Sequence, residues 1–447
     1  MTESVMSSGN RAWFRRVRNS TVTQNALALL GTQIATYAFP LATIPYLARV
    51  LGPVHWGLVA FAQALGLYLS MVVEFGFSLS ATRRIARVRD DMYQVEQTVA
   101  AVMGAKVFLA MVCLASMLLV QQFVKSFQQY SIILWAGALS GIGQGFSMLW
   151  FYQGMEKMKA PAAMDMLGKA AAAVGIFIFV HRQEDAWKVV GLQCVCYWSV
   201  TVILLSITYR RVKFYWPNIR TVRGALRDSA AMFLFRSSVS LYTTANALIL
   251  GAVSTPLAVG FYSGAERLVK ALVNLLNPLT QSLYPRLSRL LATDRKGAVS
   301  LARISLIVTA SAGLVMCLLT FAAAPLITSV VLGPAYLPAI PVMRVLSLLL
   351  PAIAVSTVLG IQWMLPLGME AVYNKIIILA GFLNLTLALC WASRWQQMGM
   401  ACAVVVSEYL VTIAVCIVLV RRKISPFTEP LALHFRLQEQ LTAANPS

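Results

Sequence analysis

Seven bases interrupt runs of sequence that are otherwise apolar: Lys106, Lys169, Arg236, Arg267, Lys270, Arg303 and Arg344. Three acids do the same, Glu74, Glu266 and Glu408, with Asp165 near the end of a run. An ionisable side chain at the centre of a bilayer costs about 2.5–3.5 kcal/mol on insertion scales, so those that persist face protein or water. A surplus of bases suits an anion. Arginine suits phosphate in particular, because its planar fork offers two parallel hydrogen bonds and keeps its charge. Depth orders the set: Arg267 and Lys270 lie well inside their run, while Arg236, Lys106, Arg303, Lys169 and Arg344 lie nearer an end, where long side chains can snorkel to head groups. Glu266 and Lys270 are spaced i,i+4 in the favourable order and can neutralise each other, which directs attention to Arg267. Glu74 closes the run MVVEF and is the first candidate for ion coupling, with Glu266 and Glu408 behind it; the alternative for Glu74 is a structural hydrogen bond to a neighbouring helix.

Other chemistries lack their residues. The chain has no Ser-His-Asp set, no paired carboxylates and no phosphate-binding glycine loop. Its seven cysteines sit in apolar runs without zinc-ligand spacing to the three histidines, so they read as small packing residues. No catalytic residue, cofactor or metal site is expected.

The apolar runs decide what these residues belong to. Of 447 residues, 59% are hydrophobic and 12% charged, far less charge than a soluble protein exposes. The runs are about 20 residues long, enough to cross roughly 30 Å of hydrocarbon as helix. The strands of an outer-membrane barrel would instead alternate apolar and polar residues. The chain is therefore read as an all-α polytopic membrane protein with about twelve transmembrane helices. The net charge of +21 reflects Lys and Arg gathered in loops on one side, not nucleic-acid binding. Those loops carry Arg11, Arg15, Arg16 and Arg18, then Arg83, Arg84, Arg87 and Arg89, and later Arg286, Arg289, Arg295 and Lys296. Opposite loops are short and poor in bases. Both termini are expected in the cytoplasm, and the first helix, with no cleavable signal peptide ahead of it, serves as the insertion signal.

The polar connection Tyr209 to Ser229 divides the chain. The expected organisation is a tail over 1–24, a six-helix lobe over 25–208, a linker over 209–229, a second six-helix lobe over 230–420 and a tail over 421–447. The halves echo each other. WGLVAFAQA (Trp56–Ala64) aligns with VGFYSGAER (Val259–Arg267), which sets Arg83 on Arg286, and Gly-Met-Glu occurs at 154–156 and again at 368–370. An even number of helices per half makes this a parallel repeat. In both copies Gly-Met-Glu is expected to turn the chain between the fourth and fifth helices, glycine permitting the turn and glutamate capping the next helix.

Several stretches resemble the O-antigen and polysaccharide-unit flippases (Wzx type) of the MATE-like MOP superfamily. They are IPYLARVLGPVHWGLVAFAQALGLYLSMVVEFGFSLSATRRIAR (Ile44–Arg87), WFYQGMEKMK, VLGPAYLPAIPVMRVLSLLLP (Val331–Pro351), and LNLTLAL followed by GMACAVVVSEYLV. The resemblance implies two pseudo-symmetric six-helix lobes around a central cavity that opens alternately to either side. It implies a polyprenyl-pyrophosphate-linked oligosaccharide as cargo, a bacterial inner membrane as location, and a polysaccharide polymerase and chain-length regulator as partners. The bases named above would then offset desolvation of the pyrophosphate. Three other readings are weighed against it. A multidrug antiporter would hold buried acids for cationic cargo. A polymerase or ligase would need catalytic groups in a large outer loop. A structural subunit of a secretion assembly would not need a duplicated fold with buried charge.

Overall fold

The computed structural model describes residues 21–426, and every regular element among them is helical. The arginines of the N-terminal tail lie outside the described residues. Helix α1 (Thr21–Glu74) holds the first two expected passes, divided at Gly52, where φ is 67°. The local sequence is Leu-Gly-Pro: glycine takes the left-handed conformation without a Cβ penalty, and proline fits the first turn of the segment that follows. Beyond Phe75 and Gly76, both at positive φ, the chain forms α2 (Phe77–Val88). This corrects the reading of the arginine-rich stretch as a loop. Phe77, Ala81 and Ile85 recur every four residues and are buried, so the segment has an apolar stripe to pack, with arginines on the remaining faces.

Helix α3 (Met92–Phe123) starts at Asp91, whose side chain accepts the backbone N–H of Gln94 at 3.2 Å. The Gln94 side-chain amide and that N–H together hold the Asp91 carboxyl below the usual carboxylate range. Next come α4 (Ser131–Gly145), α5 (Leu149–Gly154), α6 (Lys159–Phe179) and α7 (Ala186–Tyr209). Helix α8 (Ile219–Thr243) begins inside the segment read as a polar linker and is followed by α9 (Asn246–Val253). The order continues with α10 (Pro256–Leu275), α11 (Asn277–Thr293), α12 (Arg295–Ile327), α13 (Ile340–Ser347) and α14 (Leu349–Ser356). A π-helix (Thr357–Met364) precedes α15 (Glu370–Arg421), which is divided at Gln396 (φ 47°).

Eight helices among the described residues are long and apolar enough to cross a membrane. Two of them, α1 and α15, are double passes. The expected seventh and eighth spans are present but broken, between α8 and α9 and between α10 and α11. The result is the expected all-helical polytopic fold of about twelve passes. By contact the chain divides into two compact units: the first runs to Ser240 and includes Val331–Ala335, and the second holds the remainder.

The first unit is held by close helix crossings. A Cβ added at Gly141 of α4 would lie 1.9 Å from the carbonyl oxygen of Gly66 in α1, and one at Gly137 would lie 2.4 Å from that of Ala62. Small residues let backbones approach this closely, and packing is what drives helix association in lipid. Trp150, Phe151 and Tyr152 of α5 are buried with Phe77, Ile85 and Leu204 in one cluster. Both Gly-Met-Glu corners join the fourth and fifth passes, as expected, but they turn differently. In the second it is Gly368 that has positive φ, 72°; in the first it is Glu156, at 56°, while Gly154 is helical. Gly154 is there for packing, since a Cβ would stand 2.8 Å from that of Ile85. Glu370 does lie in the first turn of α15, whereas Glu156 pairs with Arg89 at 2.9 Å.

Candidate functional site

Three of the candidate ionisable residues, Glu266, Arg267 and Lys270, lie on α10. Thr255 caps the helix, accepting the N–H of Ala258 at 3.3 Å, and Pro256 follows at its start. Tyr262, Glu266 and Lys270 then stack at four-residue intervals on one face. Lys270 Nζ donates to Glu266 Oε1 at 2.8 Å and the Tyr262 hydroxyl donates to the same oxygen at 3.1 Å. The expected i,i+4 pair is therefore made, and it is extended sideways. Asn246, at the start of α9, donates to Glu266 at 3.5 Å and accepts from Asn384 of α15 at 3.1 Å. Asn384 in turn accepts from Ser407 at 3.4 Å. Asn246, Asn384 and Ser407 are all 1% exposed or less. One residue along, the carboxylate of Glu408 receives the Ser356 hydroxyl at 2.9 Å. Two of the three candidate acids thus sit in buried polar clusters of one unit.

Arg267 follows Glu266 on α10 and is half-buried. Tyr336 packs against the same helix, its ring 6.1 Å from that of Phe261 on α10. The Tyr336 hydroxyl is buried and has no hydrogen-bond partner among the described residues. A guanidinium and a buried unsatisfied hydroxyl in one neighbourhood present donors that an oxyanion could accept.

The remaining candidates are engaged elsewhere. Glu74, at the end of α1, accepts the Ser78 backbone N–H at the start of α2 and receives Arg236 of α8 at 3.0 Å. Arg236 also donates to the Ser78 hydroxyl. The charge of Arg236 is therefore paired within the protein. Glu74 is a helix cap and salt-bridge acceptor, the structural alternative already open for it. Lys106 does not snorkel. It is fully buried, donates to the Ser147 carbonyl oxygen at 3.1 Å and lies 5.8 Å from the centroid of the Trp150 ring. That carbonyl lies in the break between α4 and α5, where helix-end oxygens attract cations. Lys169 pairs with Asp165 at 2.7 Å. Arg303 donates to the Pro426 carbonyl oxygen at 2.6 Å, and Arg344 to that of Phe321 at 3.3 Å, with the Phe321 ring 5.3 Å away. The seven bases therefore do not form one group. Asn246, Asn384, Tyr262 and Tyr336 escaped a reading that searched for charge; the asparagine inside the apolar LNLTLAL was the visible signal.

This fold is that of a polytopic membrane protein. It matches the solved lipid II flippase MurJ with a TM-score of 0.70, 12% identity and coverage of 88% of this chain and 87% of that one. It also matches a multidrug resistance MATE family transporter of the MOP superfamily with a TM-score of 0.64, 12% identity and coverage of 89% and 98%. At such identities the likeness establishes the fold alone and does not separate the two kinds of transporter. The sequence goes further: residues 22–291 match the model of the polysaccharide biosynthesis protein family, and the chain belongs to that family. A candidate O-antigen transporter of Escherichia coli (strain K12) is 32% identical over 391 residues, 87% of this chain and 94% of that protein. Another from Shigella dysenteriae is 28% identical over 400 residues, 87% and 98%.

Proposed function

We propose that the chain is a flippase that carries a polyprenyl-pyrophosphate-linked oligosaccharide across a bacterial inner membrane by alternating access, from the cytoplasmic to the periplasmic leaflet, for O-antigen or another surface polysaccharide. The observation that carries this reading is the 32% identity, over 87% of the chain, to a candidate O-antigen transporter. The named relatives are transporters, not catalysts, and no bond is made or broken. The pyrophosphate is the part of the cargo least able to enter hydrocarbon. Arg267, with Lys270 beside it and the unsatisfied Tyr336 hydroxyl nearby, is the best-placed group to replace its lost water. Glu266 and Glu408, buried and hydrogen-bonded, are the groups through which an ion would couple. An inside-negative potential of about 100 mV would favour outward movement of a doubly charged anion by roughly 4–5 kcal/mol, so coupling is an addition to the driving force and not a requirement.

Purified protein in liposomes, supplied with a lipid-linked oligosaccharide in one leaflet, tests the reading. Protein-dependent appearance of the sugar in the other leaflet is expected. Transport of cationic dyes without movement of the lipid-linked sugar would replace the flippase reading with a multidrug antiporter.

A further inference from the structure

A separate concave site lies in the first unit, and none of its lining residues is one of the seven bases or three acids considered above. A cavity of about 410 Å³ opens beside α2, within the range typical of small-ligand pockets. Arg83, Arg84 and Arg87 of α2 line it, facing Thr98 of α3 and Ser229 of α8. Phe77, Val102 and Ala225 add apolar wall. The only carboxylate among the lining residues is Asp228, 3.8 Å from Arg84 and largely exposed, a pairing too loose to cancel three guanidiniums. Among the described residues neither Arg83 nor Arg87 forms an ion pair.

Topogenic arginines need no cavity, and a loop would leave them mobile. Here the helix that bears them is fixed. Its stripe Phe77, Ala81 and Ile85 is buried, Phe75 stacks on Phe233 of α8 at 4.3 Å, and Ser80 and Ser229 share a hydrogen bond of 2.6 Å. Helix α2 lies between the pass that ends at Glu74 and the one that begins at Met92, and its Leu79 is 51% exposed. A pocket with apolar wall and exposed arginines on an anchored helix, between two passes, suits a charged head on a hydrocarbon tail.

We propose that this cavity binds the phosphate head of an anionic membrane lipid. The proposal does not rest on the transport reading. The same chemistry is offered by an anionic phospholipid and by a polyprenyl pyrophosphate, so both serve as probes. The full chain in detergent is exposed to phosphatidylglycerol, to polyprenyl pyrophosphate without sugar, or to phosphatidylcholine, and retained lipid is read by native mass spectrometry. Wild-type protein should retain at least one of the anionic lipids over phosphatidylcholine; whichever is held more strongly identifies the source. Arg83→Gln/Arg87→Gln should lower that retention about tenfold, and Arg83→Lys/Arg87→Lys should keep most of it. Asp228→Asn should raise it, a gain that misfolding cannot imitate. Arg286→Gln/Arg289→Gln, which removes the same charge from exposed positions on α11, should leave it near wild type. Equal retention by wild type and Arg83→Gln/Arg87→Gln, or an equal loss in the α11 variant, overturns the proposal.

Discussion

Glu266 receives three donors, whereas Lys270 has 45% of its side chain exposed, so the two members of this pair are not equivalent. Removing the carboxylate strands Tyr262 and Asn246 in the interior; removing the amine leaves Glu266 with both. We expect Glu266→Ala to cost about 1–3 kcal/mol in thermal unfolding in detergent, the range for unsatisfied buried polar groups, and Lys270→Ala clearly less. Arg267 should behave differently from both. On the proposed reading the cargo moves past Arg267 and holds no single pose, so charge matters more than fixed geometry: Arg267→Lys should retain partial translocation and Arg267→Gln almost none. Full transport by both variants would move the anion site away from this face of α10. At this scale the sequence was legible where charge interrupted apolar runs, and the Glu266–Lys270 pair follows from spacing alone. It was not legible where a partner comes from far along the chain. Nothing near Arg236 announces Glu74, and nothing near Lys106 announces the carbonyl of Ser147.

Helix contacts carry their own test. Helices α1 and α4 cross at Gly66 and Gly141 with no room for a side chain, and the obstacle is backbone, which cannot swing aside. Gly141→Leu should therefore abolish accumulation of folded protein, measured by size exclusion. Gly224 of α8 has nothing within 4 Å of an added Cβ and no positive φ. Gly224→Ala should be neutral or stabilise by about 0.5–1 kcal/mol through helix propensity. A comparable loss in both would mean that backbone freedom, not the crossing, is what glycine provides. The existence and type of the helices could be read from apolar runs, because lipid leaves helix as the way for a single segment to satisfy its backbone. Helix α2 could not be read by the same rule. Its charge hides a three-residue stripe, Phe77, Ala81 and Ile85, that only packing turns into a helix face. The break at Leu276 had a signal in Pro278, in the first turn of α11, set inside a run read as one apolar pass; the break between α8 and α9 was invisible, since no proline or glycine marks it.

For the whole molecule, the charge pattern makes a claim about sidedness. Cysteines placed at Asp90 and Trp216 should be labelled from the cytoplasmic side only, and one at Glu184 from the opposite side only, with an impermeant thiol reagent on a background free of the native cysteines. Labelling of Asp90 and Glu184 from one side would break the even-numbered path. The expected repeat rests on sparse features, the Gly-Met-Glu corners and the arginines after the second and eighth passes, which recur in order, while apolar residues match one another by chance.

The end of α15 bears on the order in which the protein is made. Ile424, Ser425 and Pro426 are buried just beyond α15. The Ile424 carbonyl oxygen accepts from Trp363 in the π-helix at 2.8 Å, and that of Pro426 accepts from Arg303 in α12. Trp363 is 0% exposed. These bonds join residues synthesised before α15 to residues that follow it. Until the ribosome has delivered Pro426, the indole and the guanidinium must wait with other partners or with water. A chain stopped at Arg421 would contain every described helix of the unit and still lack its clasp.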